Sequence, residues 1–474
     1  GGSLYFLKHQ DITIGSERIR IEVRDKDTGL VVARKSLSPG QDYDIDPIQG
    51  RVMLNSPLSA SGSEGILVRD TSIAGNQNHL VVTYEFTPGF DDLNELAVGG
   101  RVSQWVGDHA QIGVTSSKQE VNLIDQKLNA VDLTLRLNPS NYIKLEAAQS
   151  EGLAAEQRES IDGGFAFNDL QPMTNLAADQ KADAGRVEAG FQLGKRGRAS
   201  VFVQTREAGY SAPGQLTTTE TDQYGAQANY GITQDISVNA KFAEKDEVFG
   251  EQNQSLDAGV GVDLSEKWKV DVGARFDDKQ NNRVISPADV GARTDMTVEL
   301  GYNSLEKWTA YTFAQGTVDN DATRDENSRG GVGGSYQVKD RLKVDGELSG
   351  GNTGTGAKLG TEYQATDRTQ LYSAYALENQ RSDTGLRGQR GNLSGGFKSR
   401  YTDTVSIYGE ERYAYGDQPV GLTHAYGVDL APTDQWNIGM SAETGKLRNP
   451  VGSSIRRLAL GLNLGYSFEK IKYA

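Results

Sequence analysis

The sequence predicts an all-β chain dominated by a transmembrane antiparallel up-and-down β-barrel of about 22 strands, range roughly 20–24, preceded by a small β-sandwich module. Three observations carry this expectation. Apolar residues alternate with polar ones in segments of roughly ten residues, near the 9–11 that a tilted strand needs to cross a bilayer. A short polar turn recurs 27 to 40 residues apart. Aromatic residues gather at the turn-proximal ends of the segments.

The turn is the clearest element. It reads Thr233-Gln234-Asp235-Ile236, Ser265-Glu266-Lys267-Trp268, Leu305-Glu306-Lys307-Trp308 and Lys339-Asp340-Arg341-Leu342. It continues as Thr366-Asp367-Arg368-Thr369, Thr402-Asp403-Thr404-Val405, Thr433-Asp434-Gln435-Trp436 and Phe468-Glu469-Lys470-Ile471. Between turns the period is two. Trp268, Val270, Val272, Ala274 and Phe276 share one face, while Lys269, Asp271, Gly273 and Arg275 share the other. A helix would scatter these residues around a cylinder, so strand is preferred.

The polar row is expected to face water inside the barrel. Its candidate pore-lining residues are Lys241, Lys269, Asp271, Arg275, Glu299, Lys343, Asp345, Glu347 and Glu362. The aromatic residues Tyr230, Trp268, Tyr302, Trp308, Tyr336, Tyr363, Tyr401, Trp436 and Tyr466 are expected to form a girdle, because amphipathic rings favour the boundary between headgroups and hydrocarbon. A soluble propeller is the rival, but its blades place about four strands in 40–50 residues, whereas two fall here in each repeat.

Composition narrows the function. The 474 residues carry 49 Lys+Arg against 64 Asp+Glu, a net charge of −15 that disfavours capture of nucleic acid. No run of 18 apolar residues occurs, so no transmembrane helix is expected. The opening Gly1-Gly2-Ser3-Leu4 has neither a basic nor an apolar leader region, as expected of a mature, trimmed or partial chain.

Connections are short on the marked side and longer on the other, at about 151–182, 209–220, 279–292, 319–329 and 380–390. Outer-membrane barrels keep short turns in the periplasm and long loops outside, which orients the marked turns. Counting from His79–Phe86 as the first barrel strand to Ile455–Phe468 as the last gives the 22 strands. The tail Glu469–Ala474 reads either as a short extension or as the start of a further strand.

Ahead of the barrel, alternating runs Arg18–Val23, Leu30–Lys35, Arg51–Leu54 and Leu80–Phe86 are separated by Gly15-Ser16, Asp27-Thr28-Gly29, Pro39-Gly40 and Ile48-Gln49-Gly50. Short strands with such punctuation suggest an immunoglobulin-like sandwich over 1–78, periplasmic or plugging the lumen, with the barrel over 79–474. The strings Tyr5-Phe6-Leu7-Lys8-His9-Gln10-Asp11, Gly15-Ser16-Glu17-Arg18, Asp42-Tyr43-Asp44-Ile45-Asp46 and Gly50-Arg51-Val52 resemble the module preceding large barrels in some bacterial outer-membrane proteins. More distantly they resemble repeated segments in giant barrel translocons of gliding bacteria. The resemblance covers about 85 residues and brings no catalytic residues with it.

Enzyme chemistry has no visible constellation. There is no cysteine, and His9, His79, His109 and His424 lack metal-ligand spacing. Gly330-Gly331-Val332-Gly333-Gly334 lacks the Lys-Ser/Thr of a phosphate loop. Asp42, Asp44 and Asp46 are better read as a solvated strand face than as a calcium loop. No cofactor is expected, catalytic and metal residues are none, and the chain is not read as an enzyme.

The leading expectation is therefore a porin-like transport barrel in the outer membrane of a Gram-negative bacterium, a conduit for a solute or polymer. Its partners are outer-membrane lipid and lipopolysaccharide, with a periplasmic or surface protein as a further candidate and no nucleic acid. The alternatives are an export or assembly scaffold resembling a translocon, a structural or adhesive surface protein, and a receptor of the TonB-dependent kind.

Overall fold

The computed structural model describes residues 2–466 apart from 26–28, 60, 63–66, 70–71, 73–74, 88–96, 122–123, 153–157, 161–162, 166, 170–175, 178, 213–214, 282–289, 382–387, 434 and 450–451. Seven short strands come first: β1 (Leu4–Phe6), β2 (Arg18–Arg24), β3 (Val31–Ser36), β4 (Tyr43–Asp46), β5 (Arg51–Leu54), β6 (Ser61–Gly62) and β7 (Asn76–Thr83). They form two sheets, ordered β1-β5-β4 and β3-β2-β7-β6. Ile19 of one sheet and Tyr43, Val52 and Leu54 of the other share a buried core, with Tyr5, Leu80 and Val82 packed against it.

The barrel begins with β8 (Ala97–Val106), β9 (Ala110–Val121), β10 (Ile124–Asn138) and β11 (Asn141–Glu151). The loop that follows carries a small hairpin, β12 (Arg158–Glu159) and β13 (Asn168–Asp169). After β14 (Lys181–Leu193) and β15 (Gly197–Arg206) a second hairpin, β16 (Ser211–Ala212) and β17 (Gln215–Leu216), precedes β18 (Thr221–Gly231). The remaining barrel strands run from β19 (Ile236–Glu247) to β32 (Ser454–Tyr466). Twenty-one strands close into one barrel, with β32 beside β8.

The expected range of strands holds, and one expected strand is reassigned. Among the described residues the barrel has 21 strands. The missing one is His79–Phe86, whose residues His79–Thr83 lie in β7, pair with β2 and so belong to the module; Phe86 bridges to Ile12. Alternation is shared by module and barrel strands, so pattern alone could not place that boundary. The turn Phe468-Glu469-Lys470-Ile471 and the tail to Ala474 lie outside the described residues, as do Asp27, Thr28 and Asp434.

Most of the repeated turns have a common cause. A Ser or Thr at, or just before, the first position accepts hydrogen bonds from backbone N–H groups two to four residues on; Lys339-Asp340-Arg341-Leu342 has no such hydroxyl. Thr233 Oγ1 accepts from Asp235 (3.1 Å) and Ile236 (3.0 Å), and Ser265 Oγ from Lys267 (3.3 Å) and Trp268 (3.2 Å). Ser304 Oγ does the same for Lys307 (3.1 Å) and Trp308 (2.9 Å). Thr366 and Thr402 accept from Arg368 and Thr404 at 3.2 Å each. The hydroxyl thus supplies the acceptor that reverses the chain.

Register confirms the two rows. Leu256 faces Phe276 and Val260 faces Val272, while Asp257 faces Arg275 between them. Burial is inverted relative to a water-soluble sheet. Val272 is 46% exposed, whereas Arg275, Asp277 and Asp295 are 0% exposed. The apolar row lies outside and the charged row lies within.

Candidate functional site, a plugged polar lumen

The inner rows of the wall do not enclose empty space. Side chains of the N-terminal module reach them at several places, mostly through charged or polar contacts, with Leu4 and Met53 also packing on Tyr408. Near the start of the chain, Glu410 on the strand Val405–Gly416 accepts hydrogen bonds from the backbone N–H of Ser3 (2.8 Å) and Leu4 (3.2 Å). The Tyr372 hydroxyl and the Arg412 guanidinium also donate to Glu410, and Arg412 donates to the Leu4 carbonyl. Removing one member would strand a charge away from water.

Arg51 of β5 makes the second contact. Its guanidinium lies 3.0 Å from Asp429 and 4.0 Å from the centre of the Tyr408 ring. Asp46, at 3.7 Å from Arg51, accepts from Asn463 of β32 at 2.8 Å. Asp44 pairs with Lys398, which also donates to Asn55 at 2.8 Å. The reading of Asp42, Asp44 and Asp46 as one solvated face is therefore corrected. Asp42 accepts from Ser38 within the module, while Asp44 and Asp46 meet the barrel wall.

Arg69 makes the third contact and is nearly inaccessible, at 4% exposure. It lies 3.1 Å from Glu347 and 3.3 Å from Glu299, and stacks 3.4 Å above the Phe313 ring. Its own backbone is held as well. Its N–H donates to Gln315 Oε1 at 2.8 Å, and its carbonyl accepts from Gln315 at 2.9 Å and Asn327 at 2.5 Å. Burial works against the Arg69 charge, but Glu347 and Glu299 outweigh it, so its pKa is raised further. Farther along, Ser72 bonds Ser349 (3.0 Å) and the backbone N–H of Asn379 (3.1 Å).

All nine candidate lumen residues lie on inner rows, and they divide into two groups. Lys241 pairs with Asp25 of the module, Glu299 and Glu347 with Arg69, and Arg275 with Asp257 at 2.8 Å. These meet protein. Lys269 pairs with Asp271 at 2.7 Å and is half exposed; Lys343 stands opposite Glu362 and Asp345 opposite Gly360. The expectation of open water along the whole row is thus corrected for the first group, because the module and the 321–328 connection occupy that space. Arg324 of that connection donates to the Asp277 carbonyl at 3.0 Å and pairs with its carboxylate.

The girdle residues sit at the turn end. Trp268 stands opposite Tyr302, Trp308 opposite Tyr336, and Trp436 opposite Tyr466. Rings touch along the row: Trp268–Tyr302 at 4.8 Å, Tyr302–Trp308 at 4.6 Å and Trp436–Tyr466 at 4.9 Å between centroids. Tyr230 and Tyr363 are partly exposed on the same outer face, and Tyr401 is exposed in the turn after its strand.

Sequence reasoning passed over Arg51, Arg69, Glu410, Arg412 and Asp429. Row parity would have marked the last three as inner residues. Nothing local could have paired Arg51 with Asp429, 378 positions away. Among the described residues, no group of three His, Cys, Asp or Glu side chains converges as a metal site.

The fold and the filled lumen define a class: a large β-barrel with an apolar exterior and a polar, internally latched plug. Solved structures with similar folds include the FrpB iron transporter from Neisseria meningitidis, at 9% identity and TM-score 0.45, covering 83% of this chain and 84% of that one. The siderophore receptor PirA from Acinetobacter baumannii matches at 10% and 0.43, covering 89% and 79%. The ferric-catecholate import receptor Fiu from E. coli K12 matches at 10% and 0.41, covering 83% of each. No family model matches the chain, and no curated protein does.

Proposed function

We propose that the chain is a transport barrel of the bacterial outer membrane whose N-terminal module, residues 1–86, plugs the β19–β32 side of the lumen. The observation that carries this reading is the inverted burial of the wall: valine and leucine outside, arginine and aspartate within. An aqueous sheet with that arrangement would leave its apolar row facing solvent at about 25 cal/mol for every Å². Hydrocarbon removes that penalty, and lipid and lipopolysaccharide are the surrounding partners. The aromatic girdle at one rim fits the boundary of such a layer.

A receptor-type barrel is favoured over an open porin by the latches at Arg51, Arg69 and Glu410, which set polar contacts between module and wall. Planar-bilayer recording tests the proposal. The intact protein is expected to show little conductance, and the double variant Arg51→Ala/Arg69→Ala steps of open-channel current. A double variant that inserts as a folded barrel and stays silent would overturn the plugging role of the module.

A further inference from the structure

The plug is eccentric. Its anchors described above fall on Lys241, Glu299, Gln315, Glu347, Lys398, Glu410, Asp429 and Asn463, all between β19 and β32. On the other side of the barrel the inner rows remain wet. Lys144 and Glu146 of β11 and Gln227 and Asn229 of β18 are exposed although they occupy inward positions. Register places Lys144 opposite Glu188, and Glu188 opposite Phe202.

Part of this sector's charge is paired, although its inner rows hold more Arg and Lys (Arg101, Arg136, Lys144, Arg186, Arg198 and Arg206) than Asp and Glu (Asp132, Glu146 and Glu188). Arg101 grips Asp132 at 2.6 Å, and Arg186 reaches Glu188 at 2.9 Å. Glu188 also accepts from the Tyr142 hydroxyl at 2.7 Å, and Arg186 donates to Gln204 at 2.8 Å.

The sector also holds three aromatic rings in a polar wall. Arg136 lies 3.9 Å over Trp105, Lys144 4.9 Å over Tyr142 and Arg186 5.0 Å over Phe202. Gly190 and Gly225 make room for two of them: a Cβ at either position would collide with the Tyr142 or Phe202 ring. Cation–π contacts and glycine seats fix the rings against the wall. Rigid ring faces among carboxamides and paired carboxylates suit a molecule with C–H faces and an equatorial fringe of hydroxyls.

At the loop end the sector is roofed. Tyr210 packs on Leu128 and Ala182, with Ala148, Ala184 and Ala212 beside them. Ser211 donates from its N–H to Ser150 Oγ at 2.9 Å and from its hydroxyl to the Gly152 carbonyl at 2.7 Å. Gln126 donates to the Ser211 carbonyl at 3.1 Å. These contacts seat the segment before β18 on the inner face.

We propose that the inner wall from β8 to β18 is the solute path, that Trp105, Tyr142 and Phe202 form a binding track for a hydroxyl-rich solute of the saccharide class, and that the Tyr210 segment is its lid. This rests on the transport reading and names the route and cargo class within it.

The test uses the full chain in planar bilayers, with a linear glucose hexasaccharide as probe and potassium chloride carrying the current. Tyr210→Ala is expected to raise conductance over the intact protein, and the hexasaccharide to interrupt that current. Adding Trp105→Leu and Phe202→Leu, which keep apolar bulk but remove the rings, is expected to weaken the block by about tenfold, each block read against that barrel's own sugar-free current. A heat-dependent shift in electrophoretic mobility identifies the folded barrel in each preparation. A folded Tyr210→Ala barrel that conducts without hexasaccharide block, or whose block survives loss of both rings, overturns the saccharide track. If Tyr210→Ala stays closed while Arg51→Ala/Arg69→Ala conducts, the lid and the route are overturned and the transport reading stands. If neither conducts, the transport reading itself falls.

Discussion

Arg69 shows how much one side chain holds. It carries two carboxylates, an aromatic face and three backbone bonds on strands more than 200 residues away in sequence. Arg69→Ala leaves Glu347 buried without its cation, and breaking such a pair costs about 3–5 kcal/mol. The expected result is earlier unfolding in urea, with part of the loss recovered by Arg69→Met/Glu347→Gln, which removes both charges. Glu22 gives a pH prediction of a different kind. Burial acts to raise its pKa, but Arg20 at 2.7 Å and Arg24 at 2.9 Å override it and hold it below the usual value; Arg34 at 3.5 Å adds a third cation. A group depressed in the fold contributes fully above its unfolded pKa of about 4.3 and loses that contribution as pH falls through the folded value. Protease cleavage of the module should therefore quicken below about pH 4, and Glu22→Gln should flatten that dependence; an unchanged profile in the variant would remove Glu22 as the cause. At this scale the sequence discloses the row of a charge but not its partner. Lys241 is legible as an inner residue from Ile236, Val238, Ala240 and Phe242 around it, while Asp25 stands 216 positions away.

At the scale of the element, the hairpin was the most legible unit, because its information is local. A Ser or Thr, a charged pair and a large apolar residue specify the reversal, and period two specifies which side chains face outward. The module boundary was less legible, since β7 alternates as the barrel strands do and only its pairing with β2 tells them apart. The lumen candidates failed as open-pore residues where a second element, the module or the Arg324 connection, fills the space they face. Strand rows carry their own prediction. Val272 lies in the middle of the outer row between Trp268 and Phe276, so Val272→Arg should destabilise the barrel in lipid vesicles by about 2–4 kcal/mol. Lys269→Gln, on the inner row and half exposed, should change stability by less than about 1 kcal/mol. Urea titration in vesicles measures both, and a harmless Val272→Arg would contradict the assignment of that row to hydrocarbon.

For the whole molecule, parity has a mechanical consequence. Successive barrel strands pair antiparallel from β8 round to β32, and 21 strands make 20 such pairings. The first and last described strands therefore run in the same direction, so a pairing between them can only be parallel, and parallel pairs are slightly weaker per residue. The outer row of β32 reports the same seam. Leu458, Leu460, Leu462 and Leu464 are 61–78% exposed, whereas Val260 and Val272, each flanked by antiparallel neighbours, are 42% and 46% exposed. A strand supported well on one side only should open locally before the barrel as a whole unfolds. Backbone amides of β8 and β32 are accordingly expected to exchange with deuterium faster than those of Trp268–Asn281 by about tenfold or more, a difference of about 1.4 kcal/mol in opening energy. Mass spectrometry of the detergent-solubilised full chain resolves the three segments. Equal protection would mean that the closure is as strong as any other pairing, and the barrel would then have no preferred place to part.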